Sequence, residues 1–300
     1  MKKITAAAAV LAAGFAAATT AQEWRVSSEQ TVGGFVFPES CAYDPDTKAL
    51  YVGSFGGEKL DPAAKDGKGS ILKVDLHGKV IDKQYFPAAD GEPLNKPKGI
   101  WIEKQRLWVT DIDHVWVFNI RSKKGRKLEL PLGFANDVAV LDKALYVSDN
   151  RNDRLVKIEP ADFLNAKGSP KIDTVFIQAG VNPNGLYPTK DGMLLMVGFL
   201  APDKPRPIFA LGVSGQIKTL SEPIGRLDGV WELKDGSILA TDWNTGSLFQ
   251  WSEKGGKKEL AKGFKGPADF CVVPGDRHSM TVVVPDLPGG QLRFIQLRNK

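Results

Sequence analysis

From Pro38 onward, apolar and polar positions follow one repeating order along the chain. A polar residue opens a short apolar run; a turn leads to a second run, a Gly/Asp turn to a third. The clearest copies are KPKGIWIEKQRLWVTDIDHVWVFNI (96–120), ANDVAVLDKALYVSDNRNDRLVKI (135–158) and LDGVWELKDGSILATDWNTGSLFQW (227–251). Looser copies span 38–55 with 69–76, 183–199 with 207–213, and 268–297. Short runs rich in β-branched and aromatic residues, bounded by turn residues, read as strands. A repeat of several strands at a period of roughly forty to fifty residues reads as a propeller blade.

Six copies predict an all-β fold, a six-bladed β-propeller filling residues 22–300 as a single domain. The last copy holds three strands, and EWRVSSEQTV (23–32) precedes the first. That segment is expected to join the last blade as its outer strand, closing the ring and covering sheet edges. With 31 glycines and 19 prolines, tight turns suit the chain better than helices. Only ADFLNAK (161–167) suggests a helical turn or two between strands.

The opening polar residues are Glu39, Lys98, Asn136, Asn184, Asp228 and Asp269. The first strand of each blade lines the central channel, so these six side chains are expected to ring one of its mouths. Turns between second and third strands crown the same face. The insertions 56–68 and 201–207 fall there, together with Asp111, His114, Asp149, Asn150, Asp242, Trp243 and Asp286. His77 and His278 fall on the opposite face. Long loops over a polar ring mark a binding site for a small-molecule substrate. Aspartates that end second strands, such as Asp149 and Asp242, suit bonds to turn amides. Trp101, Trp108, Trp116 and Trp231 are expected to pack between blades, while Trp243 and Phe199 line the mouth. His114 reads either as a proton shuttle on the site face or as a solvated turn residue.

Composition adds a compartment. Residues 1–21 start Met1-Lys2-Lys3, continue as an Ala-rich apolar run and end in small residues, the pattern of a cleaved secretory signal peptide. The expectation is export to the periplasm or beyond, without membrane insertion after cleavage. The chain carries 40 basic and 35 acidic residues, and two of the lysines sit in that leader. Lys123, Lys124, Arg126 and Lys127 form the one tight basic cluster, which excludes a nucleic-acid partner. Cys41 and Cys271 hold the same repeat position in blades that adjoin once the ring closes. They read equally as one disulfide or as two small buried hydrophobes, since equivalent positions need not face each other.

Carboxylates and amides converging on a narrow channel would repel and be poorly solvated if left alone. A hard divalent cation resolves both problems, and Ca²⁺ accepts carboxylate and amide oxygens in irregular geometry. Glu39, Asn136, Asn184 and Asp228 supply such oxygens. No His/Cys cluster suggests zinc.

PES at Glu39, ND at Asn136–Asp137, PNG at Asn184–Gly185 and DG at Asp228–Gly229 together resemble the metal-site motifs of the senescence-marker-protein/gluconolactonase/luciferin-regenerating-enzyme family. The order Glu, Asn, Asn, Asp in the first, third, fourth and fifth blades matches that family, and the similarity spans nearly all of residues 22–300. The resemblance implies a lactonase or esterase with a divalent metal in the channel, held by Glu39, Asn136, Asn184 and Asp228. Asp228 would also be the general base. Two ring residues depart from the pattern. Lys98 introduces an ammonium, suited to a structural ion pair, to a substrate carboxylate or to replacing the metal. Asp269 stands in a blade that supplies no ligand in that family. KPKGI…LWVTD (96–111) also resembles the NHL propeller repeat, which implies the alternative: a non-catalytic propeller binding a ligand or protein at the channel mouth.

Overall fold

The computed structural model describes residues 22–212 and 215–299; the expected signal peptide lies outside them. Strands form six four-stranded sheets. The first, innermost strands are Pro38–Asp44, Pro97–Glu103, Ala135–Leu141, Pro183–Pro188, Leu227–Glu232 and Cys271–Pro274. Five blades take their four strands consecutively from the chain. The sixth takes its outer strand from Trp24–Gly33, which pairs antiparallel with Gln291–Asn299 from Trp24 opposite Asn299 to Gly33 opposite Gln291. The chain therefore closes its own ring, as the short polar-rich segment before the first copy predicts.

In the other blades the outermost strands are Val80–Phe86, Gly125–Glu129, Lys171–Ile177, Ile217–Thr219 and Gly256–Lys262. These are largely solvent-exposed, so little apolar pattern marks them in the sequence. Buried clusters lie between neighbouring blades. Trp108, Val117, Val147 and Phe163 join blades 2 and 3. Leu50, Val52, Val283 and Phe294 join blades 1 and 6 across the closure. Each fully buried aliphatic side chain contributes about 1.5–3 kcal/mol, so the blades hold one another by their faces.

The expected helical turn at 161–167 does not form; the segment is a turn-rich loop. Its carbonyls serve side chains instead of a helix. Trp108 Nε1 donates to Ala161 O at 2.8 Å, and Arg126 Nη1 donates to Phe163 O and Ala166 O, both at 2.8 Å. Burial of Phe163 against Trp108 fixes that geometry.

Candidate functional site: the polar ring of the channel

Five of the six first strands carry an irregularity at their polar opening. The pairing register shifts between Pro38 and Ser40, Pro97 and Ile100, Ala135 and Val138, Pro183 and Leu186, and Leu227 and Val230. A bulge of this kind bends the strand and re-aims its side chains. It is how Glu39, Lys98, Asn136, Asn184 and Asp228 leave the blade plane for the channel.

Second strands support these bulges with paired devices. Thr110 Oγ1 donates to Asn136 O, Thr241 Oγ1 donates to Ala268 O at 3.1 Å, and Asp137 N donates to Ser148 Oγ at 2.8 Å. The aspartate after each hydroxyl accepts from the loop entering its own blade. Asn95 N and Lys96 N reach Asp111 at 2.8 and 2.7 Å, Gly133 N and Phe134 N reach Asp149 at 2.9 Å, and Arg226 N reaches Asp242 at 3.1 Å. Asp149 and Asp242 thus bond turn amides as expected. Gly185 permits the close approach of neighbouring blades, since a Cβ there would sit 2.0 Å from Asp228 O.

The ring itself is acidic. Glu39 and Asp228 are buried, while Asp269 keeps part of its surface open to the channel. A further carboxyl, Asp137, escaped the sequence reading, which assigned only Asn136 to the ring. Asp137 is buried; Oδ1 accepts from Val138 N and Oδ2 from Leu186 N of the next blade, both at 2.7 Å. The available signal was the column after each ring position, which holds Ser40, Gly99, Gly185 and Gly229 in blades 1, 2, 4 and 5 and an acid only here.

These carboxyls share one field. Burial, the Asp228 charge and that of Asp137 hold the Glu39 carboxyl well above the usual range, with Lys98 opposing. Burial first, then Asp137, Glu39 and Asp228, does the same to Asp269. Burial pushes Asp137 and Asp228 each to about 7. Trp243 Nε1 donates to Asp228 Oδ2 at 2.9 Å, and the nearby Asn184 side chain acts in the same direction; both favour the ionised form of Asp228.

Lys98 is buried, its Nζ 4.4 Å from the Phe134 ring centroid and 3.2 Å from Lys96 O. It makes no ion pair among the described residues. Burial lowers its pKa to about 8, partly offset by Glu39 and Asp111. Trp243 lines the mouth with Phe199, the rings edge-to-face at 5.3 Å under the Arg226 guanidinium, 3.9 Å from the Phe199 centroid. His114 is buried rather than a solvated turn residue. Its Nε2 lies 3.3 Å from Asp111 and its Nδ1 3.0 Å from Asp113. Burial disfavours its charge, but the two carboxylates outweigh this and raise its pKa. None of its partners is a ring residue, so His114 braces a blade.

A cation is testable against the ring's own unmet oxygens. Glu39 Oε2, Asn184 Oδ1 and Asp228 Oδ1 are buried without a hydrogen-bond partner, and the half-buried Asn136 amide has none among the described residues. Orphaned buried oxygens are costly unless something accepts them. These four residues are the ones that the repeat pattern and the resemblance single out, and their oxygen chemistry fits Ca²⁺. Among the described residues no group of three His, Cys, Asp or Glu stands together as a metal site. A cation here would therefore rely on the two asparagine amides.

The chain is thus a six-bladed propeller with an acidic ring in its channel. No model of a known protein family matches it, and no curated protein does. Solved structures share its fold. A gluconolactonase from Xanthomonas campestris superposes with a TM-score of 0.63 at 15% identity, covering 91% of both chains. A putative gluconolactonase gives 0.63 at 14%, covering 92% of this chain and 94% of the other. Virginiamycin B lyase from Staphylococcus aureus gives 0.60 at 14%, covering 93% and 100%. Gluconolactonases are therefore among its structural neighbours, in accord with the resemblance drawn from the four short motifs.

Proposed function

We propose that the protein is an exported, divalent-metal-dependent hydrolase that opens a lactone or a related ester at the polar ring. The observation that carries this reading is the trio of orphaned buried oxygens, Glu39 Oε2, Asn184 Oδ1 and Asp228 Oδ1, on residues of the Glu/Asn/Asn/Asp set. Fold similarity to gluconolactonases supports it. Glu39, Asn136, Asn184 and Asp228 would hold the metal, Ca²⁺ by the hardness of the donors. When bound, it would supply Lewis-acid polarisation of the ester carbonyl and stabilise negative charge on its oxygen.

The chain's own groups do the rest. Trp243 orients Asp228 by donating to Oδ2, and that oxygen's second lone pair would take a proton from water while Oδ1 faces the metal. A base whose pKa lies near the working pH is well matched to that task. The resulting hydroxide adds to the carbonyl carbon, the ring C–O bond breaks, and the departing alkoxide takes the proton back. Lactone and water become a hydroxy acid. Lys98 offers a positive charge toward the acyl oxygen or a substrate carboxylate, and Trp243 and Phe199 wall the entrance. Loops 56–68 and 201–207 are tied down over this mouth by Lys96–Asp66 at 2.7 Å and Asn244 Nδ2–Pro202 O at 2.9 Å. We assign substrate selection to them.

A second reading, a non-catalytic propeller binding a ligand or protein, draws on Lys98, whose ammonium already sits beside the acids. One structural neighbour comes from a nidogen/laminin complex. A lyase reading has less support: a histidine replacement yields catalytically inactive virginiamycin B lyase, and no ring position here is histidine. The deciding experiment measures bound metal in purified protein and assays a lactone panel with and without chelator. Chelator-sensitive hydrolysis supports the enzyme; metal-free protein inert toward every lactone leaves the binding reading.

A further inference from the structure

The opposite end of the channel widens into a cavity of ≈ 600 Å³, a size typical of small-molecule sites. Its wall follows from a single repeat position. Three residues after each ring residue the blades carry Ala42, Trp101, Ala139, Tyr187, Trp231 and Val272. The aromatic members line the cavity. The Trp101 and Tyr187 rings meet edge-on at 6.2 Å, with only the small Ala139 of the intervening blade between their positions. Tyr187 and Trp231 lie 4.5 Å apart. Trp101 and Trp231 were expected only to pack between blades; they also wall this cavity.

Charge is sorted along its depth. Lys190, Lys234, Asp276 and Arg277 belong to turns at the rim and are of mixed sign, whereas the charged lining residues on or beside the wall strands, Asp137, Glu232 and Asp269, are all acidic. Asp137 spends both oxygens on backbone amides. The Asp269 carboxyl has no hydrogen-bond or ion-pair partner among the described residues and is partly open to the cavity.

We infer that this mouth is a second small-molecule site that takes an organic cation, a flat apolar or aromatic body bearing an ammonium group. The body would lie on the Trp101–Tyr187–Trp231 wall, and the ammonium would point inward to Asp269. Aromatic faces and a carboxylate both attract a cation, and neither attraction extends to a neutral isostere. The site faces away from the loops that crown the ring and shares with the ring only Asp269, whose carboxyl an ammonium beside it would favour in the ionised form.

Tryptophan fluorescence quenching by 1-naphthylmethylammonium, with 1-naphthylmethanol as the neutral isostere, tests the inference. The cation should bind about tenfold tighter than the alcohol, a difference of about 1.4 kcal/mol. Asp269→Asn should abolish that preference, and Trp231→Leu should weaken both ligands. A circular-dichroism melt checks that each variant is folded, and Glu232→Gln serves as a second charge variant that should keep most of the preference. Equal binding of the two probes overturns the inference, as does a preference that survives Asp269→Asn. Loss of binding in Trp243→Leu with none in Trp231→Leu also overturns it, by placing the cation at the ring mouth.

Discussion

Cys41 and Cys271 offer the sharpest quantitative prediction, because it is independent of any activity. Their sulfurs are 2.7 Å apart, both residues are buried, and 230 positions separate them. Oxidation would link the first strands of blades 1 and 6 across the closure and remove a very long loop from the unfolded ensemble. The chain-entropy relation gives about 5 kcal/mol for a loop of that length, or roughly 10 °C in Tm for a domain of this size. Burial raises the Cys41 pKa, so thiolate is scarce once the fold is complete. The bond should form during folding. Protein refolded in a glutathione redox buffer, whose oxidised form takes up the two electrons, then denatured and alkylated, should carry no alkyl groups and weigh two hydrogen atoms less than reduced protein. Its melting point should fall on adding reductant, and Cys271→Ala should melt alike with or without reductant. Two alkylatable thiols after oxidative refolding, or identical melting of oxidised and reduced wild type, would refute the reasoning.

The ring carries the remaining predictions. Asp228→Asn should lower lactone turnover about 10²–10⁴-fold while circular dichroism stays native; full turnover removes Asp228 as the base. Trp243→Phe deletes one hydrogen bond to the Asp228 carboxylate, worth about 1.5–3 kcal/mol, so the acid limb of the pH–rate profile should move up by roughly one to two units. Asp228 and Asp137 have folded pKa values of about 7, above the ordinary 3.8. Their contribution to stability is therefore fully present at acid pH and lost as pH rises through about 7. Protons compete with a cation for the same oxygens, so calcium should raise Tm more at pH 8 than at pH 5.5; a pH-independent calcium effect contradicts this. Lys98→Met removes the ammonium beside Glu39 and should tighten calcium about tenfold, read by calorimetry; weaker binding would show that Lys98 supports the cation rather than competing with it.

Much of the ring was legible because a propeller reuses one local plan. The polar opener followed by a buried strand recurs in every blade, so Asp228 could be placed by counting repeats. Asp137 was not legible in that count. The bulge sends two successive residues toward the channel, and a strict alternation allows only one. The identity of His114 was plain, but its partners Asp111 and Asp113 lie in its own hairpin, and only the fold shows that this hairpin points the imidazole away from the ring.

By itself the chain determined the number of blades, the self-closing outer strand and the six residues that open the blades, since each follows from local alternation repeated along the sequence. The tertiary structure alone decided what depends on distances between blades. It brought Cys41 and Cys271 of separate blades into contact, because first strands crowd around the axis. It gave Trp101 room across Ala139 to meet Tyr187, and so shaped the cavity at the far mouth. It also pushed Asp137 and Asp228 to about 7, because the desolvation of both, and the Asp228 charge felt by Asp137, depend on packing that no single repeat contains.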